Sequence, residues 1–428
     1  MQVKIHPSPL MGSIQAPPSK SCTQRACAAA LISEGKTIVE NIGNSNDEMA
    51  AVDIIRRLGA EVTVKGNRLA VVSGSNIFKC GNPNESRIVD PGESGLSMRM
   101  FAPIAALFNF DITFTGKGSL VQRPMDFLNT YLPKLGVTVF SNNGKLPITI
   151  RGPLKPQEIT VAGGLSSQFL TGMLFAYARA VTSPTILRVD NLMSKPYIDL
   201  TLDVLRKFGF RVTHQDYKRF ELLPYKPVAG SVIKYKVEGD WSNAAFLLVA
   251  GAIAGPVAVR GMEMDSVQGD REVMNALYQC GAEVKIGRGG IIVNPGELKA
   301  FEFDATHCPD LFPPLVALAS YCKGRTIIRG VTRLLHKESN RALALREEFR
   351  KMNVNIVLDG DIMKIDGSDQ VKGARVSSHN DHRMAMACAV AALKAKGITQ
   401  IAGAEAVNKS YPEFFEDMKK LKMQVSKI

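Results

Sequence analysis

Leu58-Gly59-Ala60-Glu61-Val62 reads as the end of one element and the beginning of another. A helix-like stretch runs into it, the glycine can take the left-handed conformation that ends a helix, and the residues after it alternate as a strand does. The same shape returns at Leu135-Gly136-Val137-Thr138-Val139, Phe208-Gly209-Phe210-Arg211-Val212 and Cys280-Gly281-Ala282-Glu283-Val284. It returns twice more without glycine, at Met352-Asn353-Val354-Asn355-Ile356 and Leu421-Lys422-Met423-Gln424-Val425. The second positions, 59, 136, 209, 281, 353 and 422, are 77, 73, 72, 72 and 69 residues apart. A period of this size means one α/β unit copied six times.

Each copy also holds an earlier helix that is apolar nearly all round, and such a helix is buried. These helices follow the polar clusters Ser19-Lys20-Ser21, Glu93-Ser94-Gly95, Ser166-Ser167-Gln168, Asp240-Trp241-Ser242, Pro309-Asp310 and Asn380-Asp381-His382-Arg383. Ser and Asp are ordinary N-caps, but capping does not account for Lys20, Arg25, Arg99, Gln168 and Arg383. The second helices begin in the same manner, at Arg123-Pro124, Ser194-Lys195-Pro196-Tyr197, Asp270-Arg271, Lys337 to Arg341 and Lys409-Ser410-Tyr411-Pro412. A helix N-terminus is the positive end of the dipole and carries unpaired N–H groups. Cations there are explicable when an anion bridges them and the helix end. Six units close as one ring or divide as three plus three. The second arrangement leaves a cleft, the usual place for a ligand.

Composition narrows the function. With 428 residues, 45% hydrophobic and 22% charged, the chain has the make-up of a globular protein of two or three domains. The longest apolar run, Ala244 to Val259, is too short to span a bilayer and contains Gly251, Gly255 and Pro256. No signal peptide is expected from Met1-Gln2-Val3-Lys4-Ile5. Seven scattered cysteines without a CxxC pair suit a reducing, cytoplasmic setting. The net charge of +13 fits a nucleic-acid surface or an anionic small molecule. The cations are dispersed, aromatics make up 7%, and Trp241 is the single tryptophan, so no nucleic-acid partner is expected. His379, Asp381 and His382 lack a further ligand cluster, so no metal is expected. Gly287-Arg288-Gly289-Gly290 lies between short apolar stretches and reads as a hairpin turn.

The motifs together are specific. Pro18-Ser19-Lys20-Ser21 with Arg25, Gly95 before Ser97-Met98-Arg99, Ser166-Ser167-Gln168-Phe169-Leu170, Ser194-Lys195-Pro196-Tyr197-Ile198-Asp199, Asn380-Asp381-His382-Arg383-Met384-Ala385-Met386, and Lys409 before Tyr411-Pro412 occur in order and in register with the repeat. Over nearly its whole length the chain closely resembles the EPSP synthase family of enolpyruvyl transferases. The resemblance implies a two-domain, inverse α/β barrel-like fold of six βαβαββ units, three per domain. Residues 1–18 plus 239–428 would form one domain and 19–238 the other, with the active site in the cleft between them. It also implies a monomeric enzyme of aromatic amino acid biosynthesis, working without a cofactor. Such an enzyme moves the enolpyruvyl group of phosphoenolpyruvate to the 5-hydroxyl of shikimate 3-phosphate and releases phosphate.

The resemblance further implies roles. Ser21 and Arg25 would hold the shikimate carboxylate; Ser166, Ser167 and Ser194 its phosphate. Tyr197 would line that pocket, and Asp310 and Lys337 would contact ring hydroxyls or the phosphate. Lys20, Gly95, Arg123, Gln168 and Lys409 would surround the phosphate of phosphoenolpyruvate, with Lys20 and Gln168 reaching both substrates. Arg341 and Arg383 would hold its carboxylate, a task that suits the planar guanidinium fork. Asp310 is the candidate acceptor of the hydroxyl proton, and Glu338 and Lys20 are candidates for proton exchange at C3.

Several positions depart from the family: Pro18 for a glycine, Leu96 and Met100 for Thr and Pro, Arg333 for Asn, Asn340 for Asp, and an added charge at Glu93. They lead us to expect weakened sensitivity to glyphosate. The sister enzyme acting on UDP-N-acetylglucosamine usually has Asn after the lysine, where Ser21 stands, and a cysteine near 110–120. No cysteine lies between Cys80 and Cys280. An RNA 3′-phosphate cyclase, which shares part of the architecture, would need ATP and a histidine nucleophile. A basic nucleic-acid-binding scaffold is the non-enzymatic alternative.

Overall fold

A computed structural model describes residues 1–79, 86–164, 167–228, 230–335 and 337–428. The chain forms two compact units, Met1–Pro17 with Glu238–Ile428, and Pro18–Val237.

All six tags end a helix in the same way. Gly59, Gly136, Gly209, Gly281, Asn353 and Lys422 have φ of +106°, +79°, +84°, +81°, +64° and +78°. In each, the next residue donates its backbone N–H five residues back, as Ala60 does to the Ile55 carbonyl and Met423 to that of Met418. These are Schellman caps, in which two otherwise unpaired helix carbonyls are satisfied. The donor is apolar and buried each time (Ala60, Val137, Phe210, Ala282, Val354 and Met423), so each cap also closes the core.

The described strands make six four-stranded sheets on one plan. In one of them, Ile159–Ala162 runs parallel to Thr185–Asp190, which pairs antiparallel with Arg219–Leu222, itself antiparallel to Val212–Gln215. Three sheets are completed by strands distant in sequence, which the periodic tags do not reveal. Val232–Lys236 joins Gly35–Glu40 in parallel, with Tyr235 opposite Val39. Gly12–Gln15 joins Val257–Arg260, with Ile14 opposite Val259. Gln2–His6 lies between Thr399–Ala402 and Gln424–Lys427. Each unit is thereby closed by a strand from one of its own ends. Glu283–Gly287 and Gly290–Asn294 form the expected hairpin, with Gly287 opposite Gly290.

Three buried helices pack together at the heart of each unit. In the 18–237 unit these are Lys20–Ile32, Gly95–Ala105 and Ser167–Ala180; in the other, Trp241–Ala254, Phe312–Ala319 and His382–Ala392. Their contact surfaces are small or apolar on every side, as in Ala26 to Ile32 and Met384 to Ala392. Gly172 permits close approach: a Cβ there would lie 2.4 Å from the Met100 carbonyl oxygen of the neighbouring helix. Truncating a filler such as the fully buried Phe101 would cost about 3 to 5 kcal/mol. Since their flanks are buried, these helices present function only at their ends.

Candidate active site

In the 18–237 unit, Ser19 caps the helix that Lys20 begins, its Oγ accepting from the Cys22 N–H. Lys20 Nζ donates to Asp47 Oδ2 at 2.9 Å, and neither side chain is open to solvent. Lys20 is therefore not a loose surface lysine. Ser21 is half-buried and offers its carbonyl to Arg25. Arg25 is 1% exposed. It donates to Thr201 Oγ1 at 3.0 Å, the Ser21 carbonyl at 3.0 Å and the Tyr197 carbonyl at 3.1 Å, all neutral acceptors. Burial lowers its pKa to about 10, so it remains charged at neutral pH. With no carboxylate on it among the described residues, this buried cation is unfavourable until an anion arrives.

The next helix N-terminus gathers more cations. Ser94 Oγ accepts from the Ser97 N–H, which leaves Gly95 in the first turn. A Cβ on Gly95 would lie 2.6 Å from Arg123 Nη1, 3.4 Å from Arg99 Nη1 and 3.7 Å from Gln168 Oε1. Three side chains thus converge where the backbone has none. Arg99 donates to Gln168 Oε1 at 2.9 Å. Arg123 is 7% exposed, donates to Ser119 Oγ at 3.0 Å, and its Nε has no partner among the described residues. Gln24 ties this N-terminus to the first, its Nε2 lying 2.8 Å from Ser94 Oγ and from Ser97 Oγ. Glu93 packs beside Gly118.

Ser167 and Gln168 open the Ser167–Ala180 helix, and Ser167 is buried. Ser166 lies outside the described residues. Ser194 is buried and left-handed, at φ +57°, before the Lys195–Lys207 helix. Tyr197 in that helix is joined to Arg25 through its carbonyl.

In the other unit Lys337, Arg341 and Arg383 are already paired with carboxylates. Asp310 stands in the 3-10 turn Pro309–Leu311. Its Oδ1 accepts from Arg341 Nη1 at 2.7 Å and Lys337 Nζ at 3.3 Å, and its Oδ2 from Arg383 Nη2 at 3.1 Å. It is a hub of charge rather than a helix cap. Arg341, 1% exposed, also donates to Glu338 Oε2 at 2.5 Å and from Nε to Asp381 Oδ2 at 2.8 Å. Asp381 caps the His382–Ala392 helix through the Arg383 N–H and accepts from Ser339 Oγ. Lys409 Nζ donates to the Asn380 carbonyl at 2.6 Å. Asn340 caps the Arg341–Lys351 helix.

These neighbours dictate protonation. Burial alone would push Asp310 up, but Arg383, Lys337 and Arg341 outweigh it and hold its carboxyl well below the usual range. Burial would push Arg341 down, yet Asp381, Glu338 and Asp310 keep it well above its ordinary value. Lys337 is lowered by burial, against the pull of Asp310. Asp270 is the opposite case, pushed up to about 7 by burial and by the charge of Asp310. It is 5% exposed; Ser242 Oγ donates to its Oδ2 at 2.5 Å, and its Oδ1 has no partner among the described residues.

Ligating atoms of Glu347, Glu348 and His379 lie within 4.8 Å of one another, the one such group found among the described residues. The Lys351 ammonium already spans it, 3.3 Å from Glu347 and 2.8 Å from Glu348, which makes it an ion-pair cluster. No helix of the described residues is long and apolar enough to cross a membrane.

The structure therefore brings Lys20, Ser21, Arg25, Ser194 and Tyr197 to one set of helix ends and Gly95, Arg123 and Gln168 to a neighbouring junction. It brings Asp310, Lys337, Glu338, Arg341, Arg383 and Lys409 into the vicinity of Asp381. Asp47, Asp270, Asp381 and Gln24 carry much of this arrangement and were not assigned roles from sequence. Asp381, inside a quoted motif, and Asp270, at a quoted helix start, gave a local signal; Asp47 and Gln24 gave none.

Comparison with known proteins bears on the family and the fold. The family model for EPSP synthase (3-phosphoshikimate 1-carboxyvinyltransferase) matches residues 5–418. The chain is 37% identical over 422 residues to a 3-phosphoshikimate 1-carboxyvinyltransferase of Clostridium kluyveri, covering 98% of this chain and 97% of that protein. It is 36% identical over 423 residues to the protein of that name from Clostridium novyi, with coverage of 98% and 97%. Its fold is similar to EPSP synthase from Acinetobacter baumannii, with a TM-score of 0.81, 26% identity and 100% of both chains covered. The enolpyruvyl transferase NikO from Streptomyces tendae shares the fold at a TM-score of 0.76 and 18% identity, with 99% and 98% covered.

Proposed function

The chain belongs to the EPSP synthase (3-phosphoshikimate 1-carboxyvinyltransferase) family, and on that premise we propose that it transfers the enolpyruvyl group of phosphoenolpyruvate to the 5-hydroxyl of shikimate 3-phosphate. The observation that carries the assignment of residues is a charge imbalance at buried positions. The hydrogen bonds of Arg25 and Arg123 go only to neutral partners among the described residues. Both substrates are carboxylated phosphates, the kind of anion that such guanidinium groups bind.

In this reading Ser21 and Arg25 take the shikimate carboxylate, and Ser166, Ser167 and Ser194 its phosphate, beside Tyr197. Lys20, Gly95, Arg123, Gln168 and Lys409 surround the phosphate of phosphoenolpyruvate, while Arg341 and Arg383 take its carboxylate. Lys337 and Asp310 meet the shikimate ring.

The reaction is an addition followed by an elimination. The 5-oxygen bonds to C2 of phosphoenolpyruvate, its proton passes to Asp310, and C3 gains a proton. C3 then gives up a proton as the bond from C2 to the phosphate oxygen breaks and phosphate leaves. Glu338 and Lys20 remain the two candidates for the C3 proton. Asp310 is a weak base while three cations hold it. A substrate carboxylate that draws Arg341 and Arg383 toward itself raises the basicity of Asp310, so the base gains strength when the substrate is in place. The cations then stabilise the charge growing on the departing phosphate.

The test is phosphate release from phosphoenolpyruvate by the purified protein, with shikimate 3-phosphate and with UDP-N-acetylglucosamine offered separately. Release with the shikimate ester alone is expected. Release with the nucleotide sugar, or with neither, would overturn the reading. The same reading places the enzyme in the cytoplasm as a monomer, in keeping with six free, buried cysteines among the described residues. Elution at the mass of one chain tests the second point.

A further inference from the structure

Two side chains of the Arg341–Lys351 helix grip opposite ends of one turn. Arg341, in the first helical turn, holds Asp381 with Nε at 2.8 Å and Nη2 at 3.3 Å. Glu348 stands seven residues on, about two turns further along the same face. It accepts from the Ser377 N–H at 3.0 Å and lies 2.6 Å from His379 Nε2. Between these grips His379 and Asn380 have φ of +50° and +54°, consecutive left-handed residues that each carry a Cβ. Such a conformation persists only where its surroundings impose it. Ser377 Oγ accepts from the His379 N–H and Ser378 Oγ from that of Asn380, both at 3.1 Å.

The turn matters for what it touches. Arg341 reaches it through Asp381. Lys409 reaches it through the Asn380 carbonyl at 2.6 Å. Arg383 follows two residues after Asp381 and donates its N–H to Asp381 Oδ1 at 2.9 Å. All three cations assigned above to phosphoenolpyruvate in this unit are therefore located by residues 377–381. Glu348 is wholly buried, and Lys351 Nζ lies 2.8 and 2.9 Å from its two oxygens, so its charge is compensated without His379.

We propose that Glu348 and His379 are positioning residues for phosphoenolpyruvate, clamping the 377–381 turn so that Arg341, Arg383 and Lys409 face one anion. The proposal rests on the assignment of those three cations under the proposed function. Its readout is the Michaelis constant for phosphoenolpyruvate, because neither residue is placed on the shikimate ester.

His379 is 30% exposed at its side chain, so it can be replaced without opening the core. The experiment compares the full-length wild type with His379→Ala and His379→Gln, varying each substrate in turn. The alanine variant is expected to raise KM for phosphoenolpyruvate about threefold to tenfold, with kcat and KM for shikimate 3-phosphate within about twofold. Glutamine, which restores a polar group near the place of Nε2, is expected to recover most of the loss. An unchanged KM for phosphoenolpyruvate in an active enzyme overturns the clamp alone. So do equal shifts in both Michaelis constants accompanied by a lower thermal midpoint, the mark of a merely structural role. A wild type that releases no phosphate overturns the reading of the site, and the clamp with it.

Discussion

The two units carry the same repeat, yet they hold their buried arginines in opposite ways. In the 18–237 unit Arg25 donates to Thr201, Ser21 and Tyr197, three neutral acceptors. In the other unit Arg341 donates to Asp310, Glu338 and Asp381, three carboxylates. The first arrangement leaves a positive charge unbalanced until an anion binds. The second is balanced without ligand, and an incoming anion must compete with Asp310. Under the proposed assignment the first arrangement recruits charge and the second hands it over, and it is the second that contains the proposed base.

The largest effect should come from that base. Asp310→Asn keeps the size of the side chain and a carbonyl oxygen for Arg341, but it cannot take a proton. Loss of general-base catalysis is expected to lower kcat by about a hundredfold to ten-thousandfold, with smaller changes in the Michaelis constants. Steady-state kinetics with both substrates checks this. A kcat within tenfold of wild type would move the base elsewhere and remove the functional half of the contrast.

The contrast in stability is tested by one substitution made twice. Arg341→Met leaves Asp310, Glu338 and Asp381 facing one another with fewer cations, and breaking a buried ion pair from one side costs about 3 to 5 kcal/mol. Arg25→Met removes a buried charge that has no acidic partner among the described residues, so it should cost less than half as much. It should nevertheless raise KM for shikimate 3-phosphate by about a hundredfold, the loss expected of a buried charge-assisted contact. Urea midpoints of the two variants decide the matter. Equal destabilisation would show that Arg25 is as structural as Arg341 and would dissolve the comparison.

What the sequence revealed, and what it did not, follows from range. The six left-handed caps were legible because the demand for positive φ is local. The helix before and the strand after announce it, even where Asn353 and Lys422 stand in for glycine. The cations at buried helix starts were legible for the same reason, since a buried helix can offer chemistry only at its ends. Asp47 was not: it sits 27 residues from the Lys20 it pairs with, inside a helix whose first turn needs acids in any case. Glu348 hides likewise among ordinary surface charges of its helix. The strands Gly12–Gln15 and Val232–Lys236 escaped because strand pairing is set by the fold as a whole and not by neighbours in the chain.

The smallest effect, and the one that sharpens the contrast most, concerns Asp270. Burial and the charge of Asp310 raise its carboxyl to about 7, while an unfolded chain releases that proton near the usual carboxylate value of about 4. Between these limits the folded state binds a proton that the unfolded state does not. For a raised carboxyl the sign is the reverse of the salt-bridged case: the penalty is absent below about 4 and complete above about 7, so stability falls as pH rises through the window. Asp270→Asn has no charge to bury at any pH. Its unfolding free energy relative to wild type should therefore improve by about 1 to 3 kcal/mol between pH 5 and pH 8, measured by urea denaturation at both. A difference that does not change with pH would mean that Asp270 is ionised in the folded protein throughout. The unit around Asp310 would then hold one more negative charge than its geometry implies, and it would no longer be the balanced partner of the unit around Arg25.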